Sequence, residues 1–423
     1  MSSFAPRSFW IKSHAVRPYY AFDVHASRGE VLELLGCWDQ AAAIYAEMLA
    51  RARQCGDELR TAQGQSKLGW IYHRTEKQAQ AVQLLQQAVD YYRRKGGRIV
   101  LAQTLSKIGT IHEAQGDYDQ ALACFEQGLA LARQENDRYT VSLVLNNLGN
   151  VYGDMGRNQQ AMDCYRQCRD MDLAAGDEYN AGIDTGNMGW LHLVAGEYDR
   201  AMDCWAQQER GARKYGDKLT LSIALGNRVC VYMTRGQYQQ ARAAVDERLA
   251  LAREMGDRKG LAISLSHLAN VQRFTGETGP ALGSYVQAVG LARELGLKYY
   301  LTIFLQEQAD LQLETGDTAG ALRSCGEAKE LAQGLGKSDS IFSCRLLEAR
   351  AAACSDPAAA AGRLGDLLAL AAGPDQRAEV HYRLFKITGD PSHREQAKAL
   401  YAEADARTPD VSYRQKLDEL NAA

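Results

Sequence analysis

The chain has 423 residues, 46% hydrophobic and 24% charged with only 7 prolines, so it has ample apolar surface to bury and is not disordered by composition. Lys and Arg total 49 against 52 Asp and Glu, a formal net charge of −3, which leaves no global basic field pointing to nucleic acid or an anionic membrane. Apolar runs fall short of the roughly 18–20 residues that cross a bilayer, no secretory leader is legible, and the 10 Cys are scattered, which together point to a cytoplasmic protein without a disulfide framework or membrane insertion.

Residues 1–20 contain Trp10, Tyr19 and Tyr20 but no repeat, and read as a lead segment. From residue 21 the chain repeats itself. Stepping by 40 from Ala41 gives Ala81, Ala121, Ala161, Ala201, Ala241, Ala281, Ala321 and Ala361. Five positions before each Ala stand Gly36, Glu76, Gly116, Gly156, Gly196, Gly236, Gly276, Gly316 and Asp356, a turn slot. Twelve positions before it the residue is small in most copies (Gly29, Gly69, Gly109, Gly149, Gly189, Ala269), and four after it the residue is large (Tyr45, Phe125, Tyr165, Trp205, Tyr285). Leu145, Leu148 and Tyr152 make one apolar helical face, Gly156 ends that helix, and a second helix runs through Ala161, Tyr165 and Cys168. Breaks at Gly56-Asp57, Asn136-Asp137, Gly176-Asp177, Gly216-Asp217 and Gly256-Asp257 pair a C-cap with an N-cap. Each 40-residue unit is therefore an α-hairpin, and nine of them fill residues 21–372. The Ala-rich stretch Ala351–Ala361 keeps the period and reads as helix. Residues 373–408, with the longer turn Gly389-Asp390-Pro391, are a degenerate tenth repeat, and residues 409–423, with Tyr413, Leu417 and Leu420 on one face, are a capping helix.

Catalytic and metal signatures are missing. Cys124, Cys164 and Cys204 recur in one helix slot that Ile44, Leu84 and Ala244 occupy elsewhere, so they read as small apolar fillers. His112 and His192 share a slot with Tyr72, Tyr152 and Tyr232 and read as core-edge aromatics. His112-Glu113 lacks a second His at the zincin spacing, and neither a Walker A loop nor a nucleophile elbow occurs. The expectation is a non-enzyme with no cofactor and no metal.

The order of small, large, Gly, Ala and aromatic residues, as in NNLGNVYGDMGRNQQAMDCYRQ, resembles the tetratricopeptide repeat in a long, 40-residue form. Similar arrays occur in kinesin light chains, Partner-of-Inscuteable adaptors and bacterial signalling proteins. The resemblance implies an all-α solenoid, a right-handed superhelix of stacked antiparallel hairpins whose first helices line a concave groove. On that frame the groove positions lie fourteen, eleven and eight residues before each repeat Ala. They give Lys67, Lys107, Asn147, Asn187, Asn227 and His267; then Trp70, Asn150, Trp190 and Asn270; then His73, Glu113 and Arg273, with Arg74 beside them. Asn147, Asn187 and Asn227 form a ladder of amides suited to an extended peptide backbone, unless they bond neighbouring helices instead. Trp70 and Trp190 offer anchoring surface, and Lys67, Arg74 and Lys107 suit an acidic stretch of a partner. The expected function is a scaffold or adaptor that binds a peptide segment of another protein. The alternative is a regulatory module of, or beside, a signalling enzyme such as a cyclase, an ATPase-type regulator or a protease.

Overall fold

The computed structural model describes residues 22–33, 37–75 and 77–422, and all of its regular structure is α-helical. The lead segment 1–20 and the turn slots Gly36 and Glu76 lie outside the described residues. From Trp38 to Ser338 a helix begins every 20 residues. No described helix is long and apolar enough to cross a membrane.

The chain divides into two compact units, residues 1–177 and 178–423. In the first, α1 (22–33), α3 (Glu58–Arg74), α5 (Arg98–Ala114) and α7 (Arg138–Asp154) are the first helices of successive hairpins. Their partners are α2 (Trp38–Gln54), α4 (Gln78–Lys95), α6 (Tyr118–Gln134) and α8 (Asn158–Ala174). In the second unit α9 (Glu178–Val194), α11 (Lys218–Thr234), α13 (Arg258–Phe274), α15 (Lys298–Glu314), α17 (Ser338–Ala353) and α19 (Pro374–Thr388) pair with α10 (Tyr198–Tyr215), α12 (Tyr238–Met255), α14 (Thr278–Glu294), α16 (Thr318–Gly334), α18 (Pro357–Leu368) and α20 (Pro391–Arg407). The final helix is α21 (Val411–Ala422).

Local chemistry sets these boundaries. Gly156 ends α7 in the left-handed conformation at φ 71°, which lets the Arg157 N–H close back on the Tyr152 carbonyl at 2.8 Å. Asn136 takes the same conformation at φ 52° between α6 and α7. Where Asp137 and Asp257 follow such a break they cap the next helix: Asp137 accepts from the Thr140 N–H at 3.1 Å and Asp257 from that of Gly260 at 2.8 Å. The Ala-rich stretch differs from the expected single helix. It is interrupted at Cys354–Asp356, because Asp356 caps α18 by accepting from the Ala359 N–H at 3.0 Å and Pro357 opens that helix.

Packing follows the period. Each repeat Ala from Ala41 to Ala321 is buried where the two helices of a hairpin cross, whereas in α18 the buried position is Ala360 and Ala361 is only half-buried. The small residue twelve positions earlier faces the large residue four positions later. A Cβ added to Gly109 would stand 2.7 Å from the Phe125 ring, and one on Gly189 2.7 Å from the Trp205 indole. Where the small residue is Val229 the partner shrinks to Val245, so the summed volume is held.

The second unit ends on a return. Leu420 is buried, with Tyr413 and Leu417 packed beside it against Tyr382 and Tyr401, and Arg394 donates to the Leu420 carbonyl at 2.7 Å. The segment before α21 reaches the turns of much earlier hairpins. A Cβ on Gly196 would come within 2.8 Å of the Arg407 carbonyl oxygen, and one on Gly236 within 3.3 Å of Val411. A cavity of about 610 Å³ lies there, lined by Glu197, Tyr198, Arg200, Arg235, Pro409 and Arg414.

Candidate functional site

The slots fourteen and eleven residues before each repeat Ala fall on the first helices, one per hairpin. In the first unit Lys67 donates to Glu30 at 2.7 Å and lies 5.5 Å from the Tyr45 ring. Lys107 donates to the Ser66 hydroxyl at 3.2 Å, and burial, with Lys67 adding to it, pushes its ammonium down to about 8. Asn147 repeats this contact one hairpin on, donating to the Ser106 hydroxyl at 2.9 Å. Asn150 is exposed and its carbonyl accepts from the Tyr165 hydroxyl at 2.6 Å. Trp70 is half-buried with its ring 5.2 Å from that of His73, and Arg74 leaves the row, its guanidinium stacking 4.8 Å from the Trp38 ring of α2. Burial, helped by Asp154, raises the Glu113 carboxyl to about 7.

In the second unit Trp190 is 52% exposed, a large apolar surface left open to solvent. Asn187 and Asn227 are both half-buried, and Asn227 makes no side-chain hydrogen bond among the described residues. Asn270 is tied on both sides, donating to Glu307 at 2.9 Å and accepting from the Tyr285 hydroxyl at 2.7 Å. Arg273 donates to Asp310 at 2.6 Å and through Nε to Glu314 at 2.9 Å. Burial opposes ionisation of Asp310, but Arg350 and Arg273 hold its carboxyl below the usual range. These groups line a cavity of about 530 Å³ that continues to Tyr382, Arg383, Lys416 and Glu419. Its charges are neutralised internally: Arg383 donates to Glu379 at 2.7 Å, and Lys416 also pairs with Glu379. The described residues hold no cluster of three or more His, Cys, Asp or Glu suited to a metal.

A tetratricopeptide repeat model matches residues 21–94 and 100–174, and the model of anaphase-promoting complex subunit 5 matches residues 159–275. Among solved structures, a Rap protein complexed with competence and sporulation factor is 12% identical, covers 94% of this chain and 99% of its own, and superposes with a TM-score of 0.55. The chain is a tetratricopeptide-repeat protein. The Rap conjugation gene regulator of the plasmid pLS20, in complex with the Phr* peptide, is 15% identical over 70% of this tetratricopeptide-repeat protein and 80% of its own chain, with a TM-score of 0.51. BtubC from P. vanneervenii is 20% identical over 52% of this chain and 92% of its own, with a TM-score of 0.45. No protein of curated function matches the repeat protein significantly.

The sequence-level site stops at Arg273, yet the same slots of this repeat protein continue into Glu307, Asp310 and Arg350, all lining the cavity of about 530 Å³. The arithmetic that found Asn227 and Asn270 reaches these three without change. Tyr382, Arg383 and Lys416 carried no such signal, because α19 and α21 lie beyond the 40-residue register.

Proposed function

We propose that this protein is a non-catalytic scaffold whose groove binds an extended peptide segment of a partner protein. The reading rests on one observation: in the second unit, a polar side chain recurs once per hairpin at one slot (Asn187, Asn227, His267, Glu307), beside the exposed Trp190. Packed helices lie roughly 8–10 Å apart, and an extended chain advances about 3.3 Å per residue, so each hairpin would meet about every third peptide residue. Amides suit that task because they bond a main chain whatever its side chains. The fold resemblance to a Rap regulator solved with the Phr* peptide supports the same reading.

The test is to probe the full chain with an array of N-acetylated random decapeptides. A subset of peptides should bind, and the variant Asn187→Ala with Asn227→Ala should lose roughly one to two decades of affinity for them, as expected for two lost hydrogen bonds. An array on which no peptide binds sinks the proposal.

A further inference from the structure

In most hairpins the residue seven places after the repeat Ala is small and stays inside the stack: Ala88, Gly128, Cys168, Ala288 and Ala328. Two consecutive hairpins break this rule with long polar side chains, Gln208 of α10 and Arg248 of α12. Each meets a glycine on the preceding first helix. The Gln208 amide lies against Gly186, and a Cβ on Gly226 would stand 2.9 Å from the Arg248 guanidinium carbon. The two glycines are windows, and the side chains reach through them toward the groove.

The neighbouring hairpins show where that passage leads. Ser66, Ser106 and Ser266 occupy the Gly226 slot of their own hairpins, and each bonds the groove residue of the next: Lys107 at 3.2 Å, Asn147 at 2.9 Å and Glu307 at 2.5 Å. At Gly226 no serine is present. The Arg248 guanidinium fills that place and meets the corresponding groove residue, His267, with Nη1 3.2 Å from His267 Nδ1. A guanidinium only donates, so Nδ1 is the acceptor and the imidazole proton sits on Nε2. Burial, together with Arg248, pushes the imidazole down to about 3, which keeps it neutral.

Arg248 is only 8% exposed and forms no ion pair among the described residues; its other contact is the Ser222 hydroxyl at 3.4 Å. The next acid along the row, Glu307, is occupied by Ser266 and Asn270. A buried guanidinium bonded only to neutral groups is destabilising, because its lost hydration is not repaid by an opposite charge. The Gln208 carbonyl oxygen, on a residue 5% exposed, is likewise buried without a partner, and Asn227 lies in the corresponding slot of the next hairpin, the one that also carries Arg248.

We propose that Gln208, Asn227, Arg248 and His267 form a subsite that takes a carboxylate of the bound peptide on Arg248 and a neighbouring peptide N–H on Gln208. Arg248 supplies a planar fork matched to a carboxylate, and the Nε2–H of His267 a further donor. The assignment rests on the peptide-groove reading above and adds the partner's chemistry: an acidic residue, or the C-terminus, at one register position.

The experiment uses the same decapeptide array on the full chain, each sequence displayed as C-terminal amide and as free acid. Wild-type binding should favour peptides carrying Asp or Glu, or the free acid, by roughly tenfold or more. Preference kept in the amides assigns the carboxylate to a side chain, and preference lost on amidation assigns it to the C-terminus. Arg248→Gln should still bind peptides but without acid preference, Arg248→Lys should keep part of it, and Arg248→Gln should melt no lower than wild type. Binding without acid preference in wild type, undiminished preference in Arg248→Gln, or a melting temperature lowered by that substitution would each overturn the subsite alone. If no peptide binds wild type, the groove reading and the subsite fall together.

Discussion

Gly149 of α7 lies against the phenol of Tyr165 in α8, so closely that a Cβ on the glycine would stand 2.6 Å from the ring. The pair shows how each hairpin closes: one helix gives up a side chain so that the other can bury a large one. Gly149→Val should overpack this crossing and cost about 1–3 kcal/mol. Combining it with Tyr165→Val copies the Val229–Val245 pair, and the double variant should be more stable than the two single losses summed. Thermal unfolding of all three decides it, and strict additivity would show that the two positions do not share volume.

The asparagines separate by partner. Asn147 is bonded to Ser106, so Asn147→Ala should lower stability by about 0.5–1.5 kcal/mol and loosen α5 and α7 to hydrogen exchange. Asn227 has no such bond, and Asn227→Ala should leave the stability within about 0.5 kcal/mol of wild type. Equal losses at the two sites would contradict the assignment.

Lys107 gives the first unit a pH signature. Its ammonium titrates near 8 in the fold, below the value near 10.4 of an unfolded chain, so the charged form is what the fold disfavours. The resulting destabilisation is fully present below pH 8 and fades as pH rises from there to about 10.4. Lys107→Met should therefore be more stable than wild type at pH 7, by roughly 1–3 kcal/mol, with the gap narrowing by pH 10. Denaturation at the two pH values, read through hydrogen exchange in α3 and α5, measures it; a gap that widens with pH would refute it.

Two glycine substitutions test the return of the C-terminal segment. Gly156 and Gly196 both have φ above 70°, so Ala at either costs about 1–2 kcal/mol of backbone strain. A Cβ at Gly156 meets nothing within 4 Å, whereas one at Gly196 meets the Arg407 carbonyl. Gly196→Ala should therefore also speed exchange in α20 and α21, and Gly156→Ala should not. Unchanged exchange in α21 for both would mean that the contact at Gly196 carries no stability.

The fold was legible because its rules are local and repeat: the caps at Asp137 and Asp257, the left-handed Gly156 and Asn136, and the Ala at each crossing follow from residues within one hairpin. The return of residues 407–411 to Gly196 and Gly236 was not, since no periodic signal relates segments so far apart in sequence. The proposed groove positions were legible as a set of slots, but the slots do not say which valences are already used. Asn150 and Asn270 spend theirs on tyrosine hydroxyls, and Arg273 on two acids, because the large residue four places after the repeat Ala carries a hydroxyl in some hairpins and because Asp310 and Glu314 lie on the next first helix. Arg248 was missed because it belongs to a second helix, and only the glycine opposite it lets it through.

The clasp at Gly196 and Gly236 gives the second unit a mechanical character that a row of hairpins lacks. A load applied at the C-terminus would pull on α21 and, through Val411 and the residues before it, on the junction with the turns of α9–α10 and α11–α12, not on the terminal hairpin alone. Extension would then begin with the parting of that junction, and only afterwards would the hairpins peel away in order from α20 backwards. Single-molecule pulling would record this as one initial release followed by a staircase of smaller steps.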